Sequence, residues 1–295
     1  MMKSKWGLII TLTVVMLFTL AGCGKAEANT ETTVETTLAT QTTETVATET
    51  MATEAVASKL QKIKDKGTLV LGTSADYPPF EFHLEVDGKD TIVGFDIDIA
   101  QKIADSIGVK LEILDMKFDG LLPALTAGKI DLIVSGMTPT DERKQSVDFS
   151  IVYYEARQTM LVLSKDAADL NTIEAFDGKT LGVQKATIQE ELAKTVFTNS
   201  KAKAIDKIPN LILELKTGKV DGLIIAEPVG KQYANANDDL ALNGIDLGSE
   251  GGSAVAVQKD SGDFLDAINA AIQDMLDSGE MDQVISDAML LSEGE

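Results

Sequence analysis

Hydrophobic residues in the globular part of the chain alternate between the spacing of strands and the spacing of helices. TLVLGTS (residues 68–74) and VKLEILDM have the apolar pattern of short strands, and between them Ile99, Ile103 and Ile107 recur every four residues, as on one face of a helix. FDGLLPALTAGKIDLIVSG (residues 118–136) contains a short helix, a glycine and a buried strand. This alternation predicts an α/β fold with a largely parallel sheet.

The same unit recurs later in the chain. ALTAGKIDLIVS (residues 124–135) aligns with ELKTGKVDGLII (residues 214–225), and LGVQKATIQEELAKTVF repeats the order of strand and helix. GSAVAVQKD (residues 252–260) is a late strand, followed by the amphipathic helix of FLDAINAAIQDML. Two similar α/β lobes explain the repeat most simply, although chance similarity over so short a stretch is the alternative. Ligands of open α/β sheets bind beyond the carboxyl ends of strands, which predicts a site in the cleft between the lobes.

The amino terminus has the features of a secretory signal. Lys3 and Lys5 precede an apolar run that is short for a membrane span. LAGC (residues 20–23) looks like a bacterial lipobox, which implies a signal peptide over residues 1–22, cleavage before Cys23 and lipid attachment to its thiol. A plain signal peptide and a short membrane anchor are the alternatives.

The segment that follows is rich in Thr, Glu and Ala. Residues 23–58 contain no aromatic residue, so they bury too little apolar surface to offset the entropy lost on ordering. They are predicted to form a disordered tether that spans about 30–35 Å as a flexible coil. The folded part is predicted to begin near Lys59.

Charge narrows the choice of partners. The formal net charge of the 295 residues is −21, which argues against nucleic acid or an anionic membrane surface as a partner. Solubility is an equally good explanation of this charge. Hydrophobic residues at 44% and charged residues at 25% are ordinary for a globular protein.

Residues for catalysis or metal binding are scarce. Cys23 is the single cysteine and His83 the single histidine, and no glycine-rich phosphate loop is present, so we expect no disulfide, metal, cofactor or nucleophilic dyad. Asp96 and Asp98 are a candidate carboxylate pair. Residues two apart at a helix start face different ways, however, and acids there favour the helix dipole, which favours a structural role.

GMTPTDERKQSVDFS (residues 136–150) contains a cation where helix chemistry favours an anion. Thr140 has the residue type of an N-cap, and a capping box has Glu or Gln three residues later. Arg143 stands there instead. Either it is a surface residue paired with Asp141 or Glu142, or it binds an anion.

Four motifs together resemble one family. GFDIDIAQKIADSI (residues 94–107), GTSADYPPFEF, the segment that contains Arg143, and LGVQKATIQEEL resemble, in order and spacing, the polar amino-acid-binding proteins of ABC importers, which are extracellular solute-binding proteins of family 3. The resemblance covers nearly the whole chain from Lys59. It implies a two-lobed type II periplasmic-binding fold that closes on one ligand.

The same resemblance implies where the lobes begin and end. The chain is expected to cross between the lobes near residues 156–160 and 250–256. The expected segments are 59–156 for the first part of lobe 1, 157–251 for lobe 2, and 252–295 for the return to lobe 1.

The resemblance also implies a ligand site. An arginine at the position of Arg143 binds the ligand's α-carboxylate, and a guanidinium suits this role because it offers two parallel donors. The other positions that match ligand-binding positions of the family are Thr138 and Gly136 for the carboxylate and ammonium, Thr187 and Ile188 on the other side of the carboxylate, Tyr77 and Phe118 around the side chain, and Ser74 and Ser135.

Two positions depart from the pattern of the family. Ser74 stands where binders of basic amino acids often have Asp, and the nearby Glu81 does not settle the specificity. Ala226 stands where the family commonly has an Asp that holds the ligand's ammonium. Since Pro228 interrupts regular strand pairing, we predict that Glu227 turns inward and holds the ammonium instead.

These features together predict a binding protein and not an enzyme. It is expected to be a monomer, lipid-anchored outside the cytoplasm on the outer face of a bacterial cell membrane, and to deliver a free amino acid to the transmembrane subunits of an ABC permease. One alternative is a lyase on the same fold, similar to cyclohexadienyl dehydratases, with Glu227 as its acid. Another is a receptor sensor module, which the absence of a span or kinase segment after the domain disfavours. A basic amino acid, Gln, Glu or cystine remains open as the ligand.

Overall fold

A computed structural model describes residues 57–249 and 251–293, which all belong to one compact unit. The predicted signal peptide, Cys23 and nearly all of the predicted tether lie outside these residues. In the described part, no helix has both the length and the apolar character needed to cross a membrane.

The described residues form thirteen strands and eight α-helices. The strands are β1 (Thr68–Thr73), β2 (Asp76–Tyr77), β3 (Glu81–Val86), β4 (Lys89–Val93), β5 (Lys110–Asp115), β6 (Leu132–Ile133), β7 (Val147–Tyr154), β8 (Gln158–Leu163), β9 (Thr180–Gln184), β10 (Lys201–Ile205), β11 (Gly222–Ala226), β12 (Leu240–Leu242) and β13 (Ser253–Gln258). The helices are α1 (Lys59–Lys66), α2 (Phe95–Ile107), α3 (Phe118–Thr126), α4 (Ile188–Thr195), α5 (Ile208–Lys216), α6 (Glu227–Asn235), α7 (Gly262–Ser278) and α8 (Glu280–Ser292).

Each lobe is built on a five-stranded sheet. The first sheet has the order β5-β1-β6-β13-β7 and the second has the order β10-β9-β11-β8-β12, while β2, β3 and β4 form a small separate sheet. The chain passes from the first sheet to the second between β7 and β8, and returns between β12 and β13. The sequence therefore correctly predicts an α/β fold with two lobes.

The sheets are mixed, whereas the sequence predicted a largely parallel arrangement. In the first sheet β1 runs parallel to β5 and β6, and β13 runs antiparallel to β6 and β7. In the second sheet β9 runs parallel to β10 and β11, and β8 runs antiparallel to β11 and β12. The chain enters the second sheet through β8 and re-enters the first sheet through β13, and these are the two antiparallel strands. Their direction is set by the crossing between the lobes, which local periodicity does not reveal.

The sequence repeat corresponds to a structural repeat. Asp131 and Asp221 occupy the same position of the two repeats, each just before a buried strand. The backbone N–H of Asp131 donates to Val70 O, and its carboxylate accepts from Val70 N. Asp221 makes the same two bonds with Thr180. Each pair of bonds joins the residue before one strand to the strand parallel to it, so the two segments share a local structure as well as a sequence pattern.

Helix α2 forms where the four-residue spacing predicts it. Ile99, Ile103 and Ile107 are all buried, and the helix packs against α7, α8 and β5. Its C-cap, Gly108, adopts the left-handed conformation that commonly ends a helix. Helix α8, which the sequence analysis did not identify, follows directly after Gly279 and packs on α7 and α2.

Gly94, which precedes α2, is expected to tolerate no side chain. Its φ is 122°, and a Cβ atom at this position would lie 2.2 Å from the carbonyl oxygen of Phe80. We predict that Gly94→Ala lowers the free energy of unfolding by about 3 kcal/mol or more, measured by urea denaturation.

The matched control for this prediction is Gly67→Ala. Gly67 also has a positive φ, of 72°, but nothing lies within 4 Å of the added Cβ. Gly67→Ala should lower the free energy of unfolding by only about 1–2 kcal/mol, which is the cost of a left-handed backbone for a residue with a Cβ atom. Equal losses in the two variants would contradict the predicted collision at Gly94.

Candidate functional site

A cavity lies between the lobes, where parallel strands of both sheets end. Ser74 follows β1, Ser135 follows β6, Gln184 ends β9 and Ala226 ends β11, and all four residues line the cavity. The carboxyl ends of parallel strands are the usual place for ligands in open α/β sheets, because the chain turns there and leaves backbone and loop groups exposed.

The structure brings nine of the ten predicted binding residues to this cavity and leaves one out. Those that line it are Ser74, Tyr77, Phe118, Ser135, Gly136, Thr138, Arg143, Thr187 and Ile188. The tenth, Glu227, does not. The sequence analysis missed further lining residues, among them Phe80, Gln158, Gln184 and Gln189, and it noted Glu81, which also lines the cavity, without assigning it to the site.

Arg143 is a buried cation in the cavity wall. Only 8% of the residue is exposed, and its guanidinium donates to two backbone carbonyls, Thr138 O at 2.7 Å and Ala186 O at 2.8 Å. Burial lowers the pKa of Arg143 to about 10, and the charge of Glu142 only partly offsets this. No carboxylate among the described residues forms an ion pair with Arg143, so the pairing with Asp141 or Glu142 does not occur. Its positive charge therefore has no carboxylate counter-ion among the described residues.

The local backbone explains how a cation occupies this position. Thr140 accepts a hydrogen bond from Arg143 N at 3.3 Å, as the N-cap pattern predicted, but only a 3-10 turn follows, Arg143–Gln145, and not an α-helix. A single turn has almost no macrodipole, which removes most of the expected repulsion. Across the cleft, Ala186 has a φ of 61°, which is rare for a residue with a Cβ atom, and its carbonyl receives the guanidinium.

The second lobe presents a helix start to the same region. Thr187 is the N-cap of α4, where its hydroxyl accepts from Glu190 N and donates to Gln184 O. The amides of the first turn of a helix have no intrahelical acceptor and attract anions. Thr187 and Ile188 both line the cavity, so this helix start and Arg143 border the same space from opposite lobes.

Aromatic rings surround the cavity on the first lobe. The ring of Phe118 lies 5.4 Å from the Arg143 Cζ atom, within the range of a cation–π contact. Tyr77 packs against Phe80 with ring centroids 5.3 Å apart. Phe118 and Tyr77 were both predicted to face the ligand, and both line the cavity.

Neutral amides form most of the polar wall of the second lobe. Gln189 donates through Nε2 to Gln158 Oε1 at 2.8 Å and to the Tyr77 hydroxyl at 3.3 Å, and the latter bond connects the lobes. Gln184 donates to Asp206 O at 3.2 Å. Gln184 and Gln189 lie in one segment, LGVQKATIQEEL, but Gln158 is distant in the sequence, so no local motif identifies the three as one cluster.

Glu81 is the acidic residue of the cavity wall. Only 1% of it is exposed, and its Oε1 atom accepts a hydrogen bond from the Ser135 hydroxyl. Burial and the neighbouring Asp96 raise the pKa of Glu81 well above its ordinary value. Its place within PPFEF, an otherwise apolar run, is the sequence signal that indicates a buried acid.

The predicted position of Glu227 requires a correction. Glu227 does not reach the cavity because it begins α6, and its carboxylate pairs with Lys231 one turn later at 2.7 Å. Proline fits the first turn of a helix and an acid there suits the helix dipole, so Pro228 promotes a helix start and not an inward turn. Strand alternation thus directs Ala226 to the cavity and Glu227 away from it.

The two lobes contact each other through a buried hydrogen bond at one side of the cleft. Asp76, in the first lobe, accepts from the Ile208 N–H at the start of α5 at 2.9 Å and from the Ser74 hydroxyl at 3.2 Å. Burial raises the pKa of Asp76, and the charge of Lys207 opposes the rise. Exposed pairs add to this contact, namely Lys117 with Asp206 and Lys207 with Asp115.

Sequence comparison identifies one family. The pattern of the bacterial extracellular solute-binding proteins, family 3, matches residues 69–288. The arginine-binding extracellular protein ArtP of Bacillus subtilis is 41% identical over 223 residues, which are 74% of this chain and 85% of that protein.

Solved structures share the fold. The amino acid ABC transporter substrate-binding protein AbpA of Streptococcus pneumoniae, bound to L-arginine, is 41% identical with a TM-score of 0.75, over 78% of this chain and 98% of that one. The ancestral amino acid-binding protein AncCDT-1, a precursor of cyclohexadienyl dehydratase, is 33% identical with a TM-score of 0.71, over 79% of this chain and all of that one (100%).

The contact between Asp76 and α5 is expected to hold the cleft closed. Two-lobed binding proteins open and close about a hinge, so a bond that joins the lobes favours the closed state. We predict that Asp76→Ala weakens ligand binding about tenfold or more, because a buried hydrogen bond to a charged group is lost. The loss should appear as faster dissociation in surface plasmon resonance, with L-arginine, the ligand of the pneumococcal structure, as the probe.

Lys117→Ala is the matched control. It also removes a contact between the lobes, but the Lys117 side chain is 60% exposed, and exposed ion pairs contribute little. The affinity of Lys117→Ala for L-arginine should differ from that of the wild type by about twofold at most. A larger effect of Lys117→Ala than of Asp76→Ala would contradict a role for burial in closure.

Proposed function

The chain belongs to the bacterial extracellular solute-binding proteins of family 3, and from this premise we propose that it captures an amino acid outside the cytoplasm and delivers it to the permease of an ABC importer. In this proposal the protein acts as a monomer and the ligand lies in the cavity between the lobes.

The observation that carries this proposal is the buried guanidinium of Arg143 without a counter-charge. A buried isolated charge is unfavourable, and a ligand carboxylate supplies the missing partner. The donors of the guanidinium, together with the free amides at the start of α4, suit the two oxygens of one carboxylate. This supports the α-carboxylate of the ligand lying between Arg143 and Thr187.

A basic amino acid is the proposed ligand, with L-arginine as the first to test. Glu81 supplies the one acidic side chain among the described residues that line the cavity, which favours a ligand that also carries a cation. The Bacillus relative named for arginine binding and the arginine-bound pneumococcal neighbour support the same choice. Phe118 and Tyr77 provide the flat surfaces on which a guanidinium or a long side chain packs.

A lyase on the same fold is the second candidate. The ancestral precursor of cyclohexadienyl dehydratase is a structural neighbour, and the pKa of Glu81, raised well above its ordinary value, gives the cavity a carboxyl group that can act as a proton donor. Incubation with prephenate or arogenate distinguishes the two functions, since a lyase releases a new product and a binding protein returns the compound unchanged.

The carboxylate assignment predicts a large effect at Arg143. Arg143→Ala should weaken L-arginine binding about 30-fold or more in titration calorimetry, since removal of one partner of a buried charge pair costs about 2–5 kcal/mol. Arg143→Lys should recover little, because an ammonium cannot offer two parallel donors.

The other arginine of the chain is the control. Arg157 is 62% exposed and pairs with Asp246 outside the cavity, so Arg157→Ala should change the affinity by about twofold at most. Near-wild-type affinity in Arg143→Ala would remove the carboxylate assignment.

We also propose that the protein is anchored through a lipid on Cys23. Cys23→Ala should release it from the membrane fraction and leave ligand affinity unchanged, because every described residue that lines the cavity lies between Ser74 and Ser253, far along the chain from Cys23. Washed membranes and calorimetry measure the two effects. A Cys23→Ala protein that stays in the membrane fraction would favour an uncleaved anchor instead.

A further inference from the structure

Two buried carboxyl groups lie side by side directly behind the cavity. Glu81 is 1% exposed and Asp96 is 0% exposed, and each carboxyl group shifts the pKa of the other, which places the two side chains next to each other. Asp96 is the second residue of α2, where an acid was expected to serve the helix dipole together with Asp98. Asp98 does point to solvent, but Asp96 turns inward to Glu81.

The remaining bonds of the pair leave one oxygen of each group without a donor. Glu81 Oε1 accepts from the Ser135 hydroxyl, while Asp96 Oδ2 accepts from Gly136 N at 2.7 Å and from the Tyr153 hydroxyl at 3.0 Å. Glu81 Oε2 and Asp96 Oδ1 are buried and have no hydrogen-bond partner. A proton held between these two oxygens satisfies both of them.

The surroundings cannot stabilise two negative charges at this place. The charged groups that act on the pair are Asp76, which adds a further negative charge, and Lys207, whose Nζ atom bonds instead to Asp115 at 3.1 Å. Tyr153 on β7 is itself buried and donates as a neutral hydroxyl. Two adjacent carboxylates in a buried site cannot both ionise, so one proton stays with the pair.

We propose that Glu81 and Asp96 share one proton and together form a single-charge acceptor for the cationic group of the ligand, so that ligand binding is coupled to proton release. The inference rests on the proposed function. Glu81 and Ser135 line the cavity and face the ligand directly. Asp96 is a positioning residue, which acts through Glu81 and through the amide of Gly136.

The direction of the coupling follows from the charge of the pair. Burial raises the pKa of Asp96 to about 7, and the pKa of Glu81 lies well above its ordinary value. Below neutral pH the pair therefore holds two protons and is neutral, and above it the pair holds one proton and carries one negative charge. A cation that binds the neutral form expels one proton to solvent. Affinity therefore increases as the pH rises through the pKa of Asp96, and it levels off above that value.

Calorimetry on the full-length chain tests the coupling without any substitution. L-Arginine is titrated at several pH values between about 5.5 and 8.5, a range that brackets the pKa of the titrating group. Each titration is run in two buffers with different ionisation enthalpies, because the difference in measured heat gives the number of protons released. We expect that ligand binding releases a proton near pH 7 and releases none at the alkaline end of the range. The dissociation constant should increase by up to about tenfold for each unit by which the pH falls on the acid side. A dissociation constant that stays flat, with no proton released at any pH, overturns the proposal.

Variants separate the pair from other titrating groups. Asp96→Asn should make the affinity independent of pH, since an amide at this position donates to Glu81 and keeps its carboxylate ionised. Asp98→Asn is the control, because it removes an acid from the same helix turn without touching the pair. It should keep the wild-type pH profile. An unchanged profile in Asp96→Asn contradicts the proposal.

Infrared spectroscopy of the ligand-free protein tests for the shared proton directly. This test needs no ligand, and it does not depend on whether Asp96→Asn folds. The wild type at pH 8.5, above the pKa of about 7 for Asp96, should show the C=O stretch of a protonated carboxyl group. That band should disappear in Glu81→Gln and persist in Asp98→Asn. If L-arginine fails to bind at every pH, the proposed ligand is wrong, and the infrared band still decides whether the pair holds a proton. If L-arginine binds and the band is missing, the inference fails and the proposed function stands.

Discussion

The buried, unpaired charge of Arg143 is the constraint on which the rest of the site depends. A guanidinium taken out of water without a counter-ion is unfavourable, and two carbonyl oxygens from different lobes only partly replace its hydration. One of these acceptors, Ala186 O, is in reach only because that residue adopts a positive φ in the second lobe. The first lobe therefore carries a charge that neither lobe neutralises, and in the proposed function an anionic ligand would both complete the site and favour contact between the lobes.

The two lobes contribute different kinds of polar group. The first lobe supplies the formal charges, Arg143 and Glu81, whereas the second lobe lines the cavity with neutral groups, among them Gln158, Gln189 and the start of α4. Neutral dipoles lose less hydration than ions when a cleft closes over them. This division favours an order of events in which the first lobe binds the charged ligand and the second closes over it, because the strongest interactions are already made before closure.

The sequence predicted those features that depend on local pattern. Periodicity identified α2, and the repeated Gly-Lys-x-Asp segment identified two related units whose Asp131 and Asp221 make matching bonds. It failed where long-range geometry decides. Glu81, Gln158 and the segment with Gln184 and Gln189 come together only when the strands are assembled, and two antiparallel strands owe their direction to crossings between the lobes. Glu227 was assigned wrongly because its side-chain direction depends on where strand β11 gives way to helix α6, a boundary that local pattern does not define.

Glu227 and Glu81 show why position matters more than the number of acids. Glu227 is partly exposed and neutralised by Lys231, so even a nearby cation would gain little from it. Glu81 is surrounded by protein of low polarity, where one charge acts strongly, but the same burial makes a second charge on Asp96 unfavourable. A proton shared by Glu81 and Asp96 would reconcile these two effects, since it leaves the pair with one full negative charge and satisfies the inner oxygen of each group. The single negative charge then belongs to the pair as a whole, and the proton between the two groups is what makes that charge compatible with burial.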